Sequence, residues 1–278
     1  MTSIEPAESY GRFGARRRRR RRARSGRRRG MYLLPGLFTT GNLFFGFYAI
    51  IHALLGEPNS AAWGVVLAAI FDTLDGRVAR LAHATSKFGA EYDSLADVVA
   101  FGVAPAVLAF AAGDLRLLGR PGWMMMFVYT VCAALRLARF NVHPSRYKGR
   151  FEGLPSPAAA LMVAATVWFT DFVHQHFVRF RFPEVVVAIG VVGVGLLMVS
   201  TFPYRSFKEL DLRHSYGTLV FVVIALVLVA LEPKVTLFGI VAAYVVSGPS
   251  EWIWRRKYGL PLEELPPPSA KDAIHEQH

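Results

Sequence analysis

The rest of this chain is organised around the stretch from Asp72 to Asp97, which contains two acidic motifs. The first motif reads D-T-L-D-G-R-V-A-R and ends at Arg80, and the second reads G-A-E-Y-D-S-L-A-D and begins at Gly89. Long apolar runs flank the stretch on both sides, so four carboxylates stand at the edge of hydrophobic segments. Ionisable groups are costly in a membrane and usually have a function there. We therefore expect these acids to form a site.

The spacing of the four aspartates favours a shared metal site. Asp72 and Asp75 are three positions apart, a spacing that puts both side chains on one face of a helix. Asp93 and Asp97 are four apart, with the same result. Two neighbouring helices would then bring four carboxylates together, where they repel one another unless a cation lies between them. Such oxygen ligands favour magnesium or manganese over zinc.

Small residues and one cation lie between the two acidic pairs. Gly76, Ala79 and Gly89 leave the backbone open to a flat or bulky ligand. Arg80 is eight positions after Asp72, near the same helical face, and its guanidinium suits phosphate oxygens. Metal ions, an arginine and a bare surface together predict a diphosphate site. The alternative is a purely structural role, in which the acids are buried and are held by salt bridges.

The composition of the chain indicates a polytopic membrane protein. Of its 278 residues 53% are apolar, yet the formal net charge is +12, a combination that is rare in a soluble domain. Apolar runs of about 20 residues predict helices, because the backbone has no hydrogen-bond partner in lipid. The eight expected spans lie near residues 37–56, 61–83, 92–112, 122–140, 156–176, 184–203, 216–232 and 235–254. The single cysteine, Cys132, excludes an intramolecular disulfide and is expected to fill the core.

Basic residues predict the orientation of these spans. Residues 1–30 are rich in arginine and lack the apolar region of a signal peptide, so we expect a disordered tail that contacts anionic lipid. The connections richest in lysine and arginine fall on the side of this tail if the number of spans is even. Both termini and the acids are then cytoplasmic. We expect no nucleic-acid partner, because no folded reading module accompanies the tail.

The acidic stretch resembles the signature of the CDP-alcohol phosphotransferases, D-x-x-D-G-x-x-A-R-x8-G-x-x-x-D-x-x-x-D, with no departure in spacing. The matching residues are Asp72, Asp75, Gly76, Ala79, Arg80, Gly89, Asp93 and Asp97. Three flanking segments, L-P-G-L-F-T-T-G-N-L-F-F-G-F, R-L-A-R-F-N and G-L-P-S-P-A-A-A, are similar to those of the CDP-diacylglycerol–serine O-phosphatidyltransferases, the phosphatidylserine synthases. One departure is Gly36, where many relatives have asparagine after the proline.

The resemblance implies an all-α membrane helix bundle of about eight transmembrane helices with a six-helix catalytic core. It implies transfer of the phosphatidyl group from CDP-diacylglycerol to L-serine, which gives phosphatidylserine and CMP. It also implies a homodimer in the cell membrane. Two ions, Mg²⁺ or Mn²⁺, are expected on Asp72, Asp75, Asp93 and Asp97. Asp97 is expected to be the catalytic general base.

The resemblance and the residues themselves together predict the substrate contacts. The residues expected at CDP-diacylglycerol are Gly36, Thr39, Gly76, Ala79, Arg80, Ser86 and Gly89. Arg136 and Arg139 are three positions apart on one predicted helical face, where guanidinium groups suit the carboxylate of serine, and Asn141 is close by. Anchoring at the cytoplasmic membrane surface is the alternative for these two arginines.

The expected domain organisation has four parts. Residues 1–30 form the tail, 31–210 the catalytic core, 211–256 two additional C-terminal helices and 257–278 a cytoplasmic tail. Within the family, the alternative acceptors are glycerol 3-phosphate, inositol phosphate and a second lipid. The alternative donor is an ether lipid. Outside it, a cation-coupled transporter also places acids in membrane helices. A transporter should have inverted repeats and acids at the midplane, and neither is evident in the sequence.

Overall fold

A computed structural model describes residues 36–82, 87–142, 150–176, 182–205 and 232–259 of the chain, which form a helix bundle. In these residues the helices are α1 (Gly36–Leu54), α2 (Pro58–Ala82), α3 (Lys87–Ala112), α4 (Arg120–Val142), α5 (Ser156–His176), α6 (Glu184–Val199) and α7 (Pro233–Tyr258). A short 3₁₀ helix, Leu115–Leu118, connects α3 to α4. The predicted all-α class is confirmed.

Four of the described helices, α1, α3, α4 and α5, are long and apolar enough to cross a membrane. Helix α6 is apolar but shorter. Helices α2 and α7 have 25 and 26 residues, and both include several charged side chains. The predicted span near 216–232 and the arginine-rich tail lie outside the described residues.

A tight turn places the start of α1 beside the end of α2. Only residues 55–57 separate the two helices, and Gly56 has a φ of +78° there, a conformation that suits glycine. Pro58 begins α2, at a position where its missing N–H costs no helical hydrogen bond. The two helices therefore run antiparallel. As a result, polar residues early in α1 reach the acids late in α2.

Small residues allow α1, α2 and α3 to pack closely. A Cβ on Gly46 would lie 2.7 Å from the Cα of Ala100, and a Cβ on Gly64 would lie 2.9 Å from the Cβ of Ala49. Both alanines are fully buried. Lipid tails are as apolar as leucine, so membrane helices associate through such close packing. This contact fixes α2 and α3, the helices that carry the acids, against α1.

Helix α3 changes its winding directly after Asp97. Residues Val98–Val103 form a π-helical segment, a feature that often occurs near functional sites. Helix α4 donates two hydroxyl hydrogen bonds to this segment, from Tyr129 to the Phe101 carbonyl at 3.2 Å and from Thr130 to the Gly102 carbonyl at 3.3 Å. The acidic end of α3 thus continues into a segment that α4 supports.

A two-stranded antiparallel sheet, which the sequence analysis did not predict, packs against α7. Strand β1 (Arg150–Glu152) pairs with strand β2 (Pro203–Arg205). Glu251 of α7 lies 2.7 Å from Arg150, and the hydroxyl of the buried Tyr204 donates to the Val245 carbonyl at 2.9 Å. Strands of three residues are too short to show an alternating apolar pattern.

A separate polar cluster closes the other end of the bundle. Asp171 near the end of α5 accepts hydrogen bonds from Lys234 of α7 at 2.6 Å and from Asn59 of α2 at 3.4 Å. These contacts tie three helices together, and in α2 they lie at the end opposite Asp72 and Asp75. The two ends of the bundle therefore carry different polar groups, and the predicted site residues lie at one of them.

Candidate active site

Three of the predicted acids converge between α2 and α3. Asp72, Asp93 and Asp97 each place one carboxylate oxygen within 4.8 Å of the other two, and all three side chains are half-buried. Asp72 comes from α2, and the two others lie one turn apart on α3. We call these residues the three-acid cluster. Carboxylates this close repel one another strongly in a partly dry site, and a bound cation would relieve that repulsion.

Asp75 stands beside the three-acid cluster but is held by a different partner. It is 6% exposed, and one of its oxygens accepts a hydrogen bond from the hydroxyl of Thr39 on α1. Asp75 interacts electrostatically with Asp72 and Asp93, so its charge adds to that of the cluster. The fourth predicted ligand is therefore near the other three, with its orientation set by α1.

Arg136 of α4 brings a positive charge to the acids. Its guanidinium interacts electrostatically with Asp72 and Asp97, and its Nη1 donates to the hydroxyl of Ser156 at 3.0 Å. Ser156 is 4% exposed and begins α5 between two prolines, at the start of the predicted span 156–176. One arginine offsets a quarter of the charge of four ionised aspartates. A net negative charge suited to cations remains among these five groups.

The acids fit divalent metal ions. Within the part of the chain that the structure describes, Asp75 Oδ1 and Asp93 Oδ1 are buried and have no hydrogen-bond partner. Buried polar atoms in proteins nearly always have a partner, so these two acceptors require one. A hard cation such as Mg²⁺ or Mn²⁺ binds carboxylate oxygens and needs no donated proton. The residues present therefore suit the predicted ions.

Comparison with known proteins gives the same assignment as the acidic motifs. The profile of the CDP-alcohol phosphatidyltransferase family matches residues 32–196. The chain belongs to this family. It is 37% identical to a CDP-diacylglycerol–serine O-phosphatidyltransferase of Helicobacter pylori over 225 residues, which cover 81% of this chain and 92% of that protein. The predicted family is confirmed, and the chain is an integral membrane protein.

Two further relatives show how widely the similarity extends. A CDP-diacylglycerol–serine O-phosphatidyltransferase of Bacillus subtilis is 33% identical over 179 residues, 64% of this chain and 93% of that protein. An archaetidylserine synthase of Methanothermobacter thermautotrophicus is 35% identical over 174 residues, 62% of this chain and 69% of that protein. Both names refer to serine lipids, although the lipid parts differ. This member of the CDP-alcohol phosphatidyltransferase family is thus similar to relatives whose names all contain serine.

The structure places two of the residues predicted at CDP-diacylglycerol, Thr39 and Gly76, directly beside Asp75. Gly76 is exposed, and a Cβ added there would meet no atom within 4 Å, so the surface beside Asp75 is open. Thr39 is buried and bonds to Asp75, as described above, whereas Gly36 begins α1 and its carbonyl accepts a hydrogen bond from Thr40 at 2.7 Å.

Gly89 lies in the first turn of α3. Ala79 and Arg80 belong to the last turns of α2. Their side chains, and Ser86, lie outside what the structure describes.

The three residues predicted at serine differ in their surroundings. Arg136 faces the acids. Arg139 instead pairs with Glu152 of β1, and its Nη1 donates to the Val199 carbonyl at 3.4 Å. Asn141 donates to the Ser94 hydroxyl at 2.9 Å, one position from Asp93. All three therefore lie at the acidic end of the bundle, and Arg136 interacts electrostatically with Asp72 and Asp97 there. Their role toward serine stays a prediction.

Sequence reasoning missed Asn42. This residue of α1 is fully buried, and its Nδ2 donates to Asp97 Oδ1 at 2.9 Å. Its position three after Thr39 in a mostly apolar helix was a signal, because a polar amide inside a membrane helix usually has a partner. The partner itself is 55 positions away along the chain and could not be read from the sequence.

Proposed function

We propose that this protein transfers the phosphatidyl group of CDP-diacylglycerol to L-serine and releases CMP. The convergence of Asp72, Asp93 and Asp97 within 4.8 Å carries the proposal, because it provides the ligands for metal ions at a diphosphate. The names of the relatives support serine as the acceptor. In the reaction, the serine hydroxyl oxygen bonds to the phosphorus that bears diacylglycerol, and the bond from this phosphorus to the CMP oxygen breaks.

The four aspartates, Asp72, Asp75, Asp93 and Asp97, would hold two divalent ions, Mg²⁺ or Mn²⁺. When bound, such ions neutralise the diphosphate and stabilise the leaving oxygen of CMP. Thr39 would keep Asp75 oriented toward the site through its hydrogen bond. Asp97 would accept the proton of the serine hydroxyl at a carboxylate oxygen as the new phosphorus–oxygen bond forms.

The residues predicted from the sequence are the proposed substrate contacts. Gly76, Ala79 and Gly89 would leave room for cytidine, and Arg80 with Ser86 would bind phosphate oxygens. Gly36 would offer its backbone amide. The guanidinium of Arg136 suits the carboxylate of serine, since it already faces the acids. Arg139 and Asn141 complete the proposed serine contacts.

We also propose the arrangement of the protein in the cell membrane. The acidic end of the bundle, both termini and the active site would face the cytoplasm, where serine and nucleotide are available. The basic residues on that side support this orientation. Residues 31–210 would form the catalytic core, and 211–256 would add two helices. The acyl chains would enter sideways from the lipid, and the protein would act as a homodimer.

The deciding experiment supplies the purified protein with CDP-diacylglycerol, Mg²⁺ or Mn²⁺ and one candidate alcohol at a time. We expect CMP release with L-serine and none above background with glycerol 3-phosphate or inositol phosphate. Release only with one of the phosphorylated alcohols would refute serine as the acceptor and keep the reaction class. Release with no alcohol and no metal would refute both.

The relative named archaetidylserine synthase favours a second candidate for the donor, an ether lipid carried by CDP. The diphosphate of this CDP-bound ether lipid is the same as that of CDP-diacylglycerol, so the acidic site suits both donors. A parallel assay with CDP-archaeol separates them. We expect the diacyl donor to react faster here, because the relatives that cover more of this chain are named for it.

A further inference from the structure

Asn42 is a fully buried polar side chain on α1, a helix that is mostly apolar. Its exposed fraction is 0%, whereas Phe44 and Phe47 on the outer side of α1 are 58% and 57% exposed. Thr39, one turn earlier, is 3% exposed and also bonds to an acid. Helix α1 therefore turns these two polar side chains toward the acids and exposes Phe44 and Phe47 on its outer side.

The contact between Asn42 and Asp97 has one chemically sensible arrangement. An ionised carboxylate only accepts hydrogen bonds, so the amide must direct its nitrogen at Asp97 and its oxygen elsewhere. The Nδ2–Oδ1 distance of 2.9 Å is that of a good hydrogen bond. A hydrogen bond to a charged acceptor is stronger than one between neutral groups. Asn42 thus fixes one oxygen of Asp97 and, with it, the plane of the carboxylate.

Packing alone does not account for an asparagine at this position. Asn42 Oδ1 is buried and makes no hydrogen bond to any residue that the structure describes. An unpaired buried oxygen costs free energy, and leucine, which is similar in size, would avoid that cost. What the amide adds is the orientation of Asp97.

We infer that Asn42 is a positioning residue that holds Asp97 in the orientation in which it accepts the proton of the acceptor alcohol. This inference rests on the proposed function, in which Asp97 is the general base. Proton transfer requires the two atoms within hydrogen-bond reach, and a small misplacement slows the chemical step. Loss of the Asn42 amide therefore lowers kcat and leaves both KM values nearly unchanged.

The test compares Asn42→Leu, which removes the donor, with Asn42→Gln, which keeps an amide on a longer side chain. Asn59→Ala is the matched control, since Asn59 also donates to an aspartate, Asp171, at the other end of the bundle. We expect Asn42→Leu to lower kcat roughly 10- to 100-fold, the usual effect of losing a residue that orients a ligand. Asn42→Gln should recover part of this loss, and Asn59→Ala should keep the kcat of the unchanged protein.

A second measurement does not depend on turnover. Asp97 belongs to the three-acid cluster, so Asn42→Leu should change the electron paramagnetic resonance signal of bound Mn²⁺, and Asn59→Ala should not. Thermal unfolding shows whether each variant is folded. If Asn42→Leu does not fold, the same measurements are made on Asn42→Gln. A folded Asn42→Leu with an unchanged kcat, or with a raised KM alone, overturns the inference.

The outcome also separates this inference from the proposed function. If the unchanged protein releases no CMP with serine, the proposed function fails, and the Mn²⁺ signal alone then tests Asn42. An unchanged Mn²⁺ signal in folded Asn42→Leu would in that case overturn the inference. If the unchanged protein is active and Asn42→Leu is equally active, only the inference fails.

Discussion

The hydroxyl of Thr39 donates a hydrogen bond to the carboxylate of Asp75, a residue 36 positions later in the chain. This contact joins α1 to α2 at the acidic end of the bundle, and both side chains are buried, 3% and 6% exposed. The other oxygen of Asp75, Oδ1, has no hydrogen-bond partner among the described residues. The contact therefore leaves Asp75 with one oxygen fixed and one available to a cation.

Replacing Thr39 by valine should weaken metal binding. Valine has nearly the same shape but no hydroxyl, so Asp75 loses the hydrogen bond that orients it. Residues that orient a metal ligand typically contribute 10- to 100-fold in metal affinity or activity, so we expect about a tenfold higher Mn²⁺ requirement. A titration of CMP release against Mn²⁺ concentration measures this.

Thr40→Val is the matched control for that variant. Thr40 is the next residue of α1, and it is exposed and bonds to the Gly36 carbonyl and to Tyr92 instead of an acid. Its loss should leave the Mn²⁺ requirement unchanged. If both valine variants shift the requirement equally, the effect belongs to α1 packing and the contact with Asp75 is not its cause.

Asp97→Asn should retain binding of Mn²⁺ and CDP-diacylglycerol and lose turnover. The amide keeps the shape of the side chain but cannot accept the hydroxyl proton, and a general base typically contributes 10²- to 10⁴-fold. CMP release and equilibrium binding of both ligands, measured on the same preparation, separate the two effects. Near-normal CMP release by Asp97→Asn would contradict the assignment of the base. Asp114→Asn, in the connection after α3, is the control.

Removal of metal should abolish activity and destabilise the protein. Four carboxylates close together repel one another, by roughly 1–4 kcal/mol for two charges 4 Å apart depending on the surroundings. Chelation should therefore lower the thermal unfolding temperature, and Mg²⁺ or Mn²⁺ should restore both stability and CMP release. Zn²⁺ should restore activity poorly, because carboxylate sites favour the harder ions.

Asp93→Asn should have the opposite effect on the unfolding temperature of the metal-free protein. The variant removes one charge from the three-acid cluster, so the metal-free protein should unfold at a higher temperature than the unchanged metal-free protein. Added Mn²⁺ should then stabilise it much less. If Asp93→Asn and the unchanged protein respond identically to chelation, the cluster is not the metal site.

Arg139→Ala should raise the KM for serine by about tenfold or more, the effect of losing a hydrogen bond to a charged group. The KM for CDP-diacylglycerol should change little. Steady-state kinetics with each substrate varied in turn gives both values. Equal increases in the two would make Arg139 a general positioning residue.

Glu152→Gln tests whether Arg139 acts through its ion pair with β1. This variant weakens the pair and leaves the guanidinium in place. If Arg139 itself binds serine, Glu152→Gln should keep a KM for serine below that of Arg139→Ala. If the two variants raise the KM for serine equally, the pair with β1 is what matters.

Lys234→Met should lower stability without a change in kinetics. Lys234 and Asp171 join α7 to α5 at the end of the bundle opposite the acids, 2.6 Å apart and about one-third exposed. A partly exposed ion pair of this kind contributes roughly 1 kcal/mol. The thermal unfolding temperature should therefore fall by a few degrees, while kcat and both KM values stay unchanged. Altered KM values would show that the two ends of the bundle are coupled.

Much of this fold could be predicted from the sequence, because its helices are long and apolar. The predicted span 156–176 matches α5, and 37–56 matches α1 to within two residues at each end. Asp93 and Asp97 lie on one helical face because a spacing of four residues produces that result in any α-helix. The family also followed from the sequence, since its signature consists of residues within one short stretch.

Contacts between residues distant in the chain became evident only from the packing of the helices. Helices that are apolar on most sides do not reveal which face meets which neighbour, so the partners of Thr39, Asn42 and Arg139 could not be predicted. The pairing of β1 with β2 joins segments some 50 residues apart, and three-residue strands carry no readable pattern. From the sequence alone, the family and the candidate groups for the chemistry could be predicted. The packing of α1 against α2 and α3, through glycine and alanine contacts, decided how those groups are oriented.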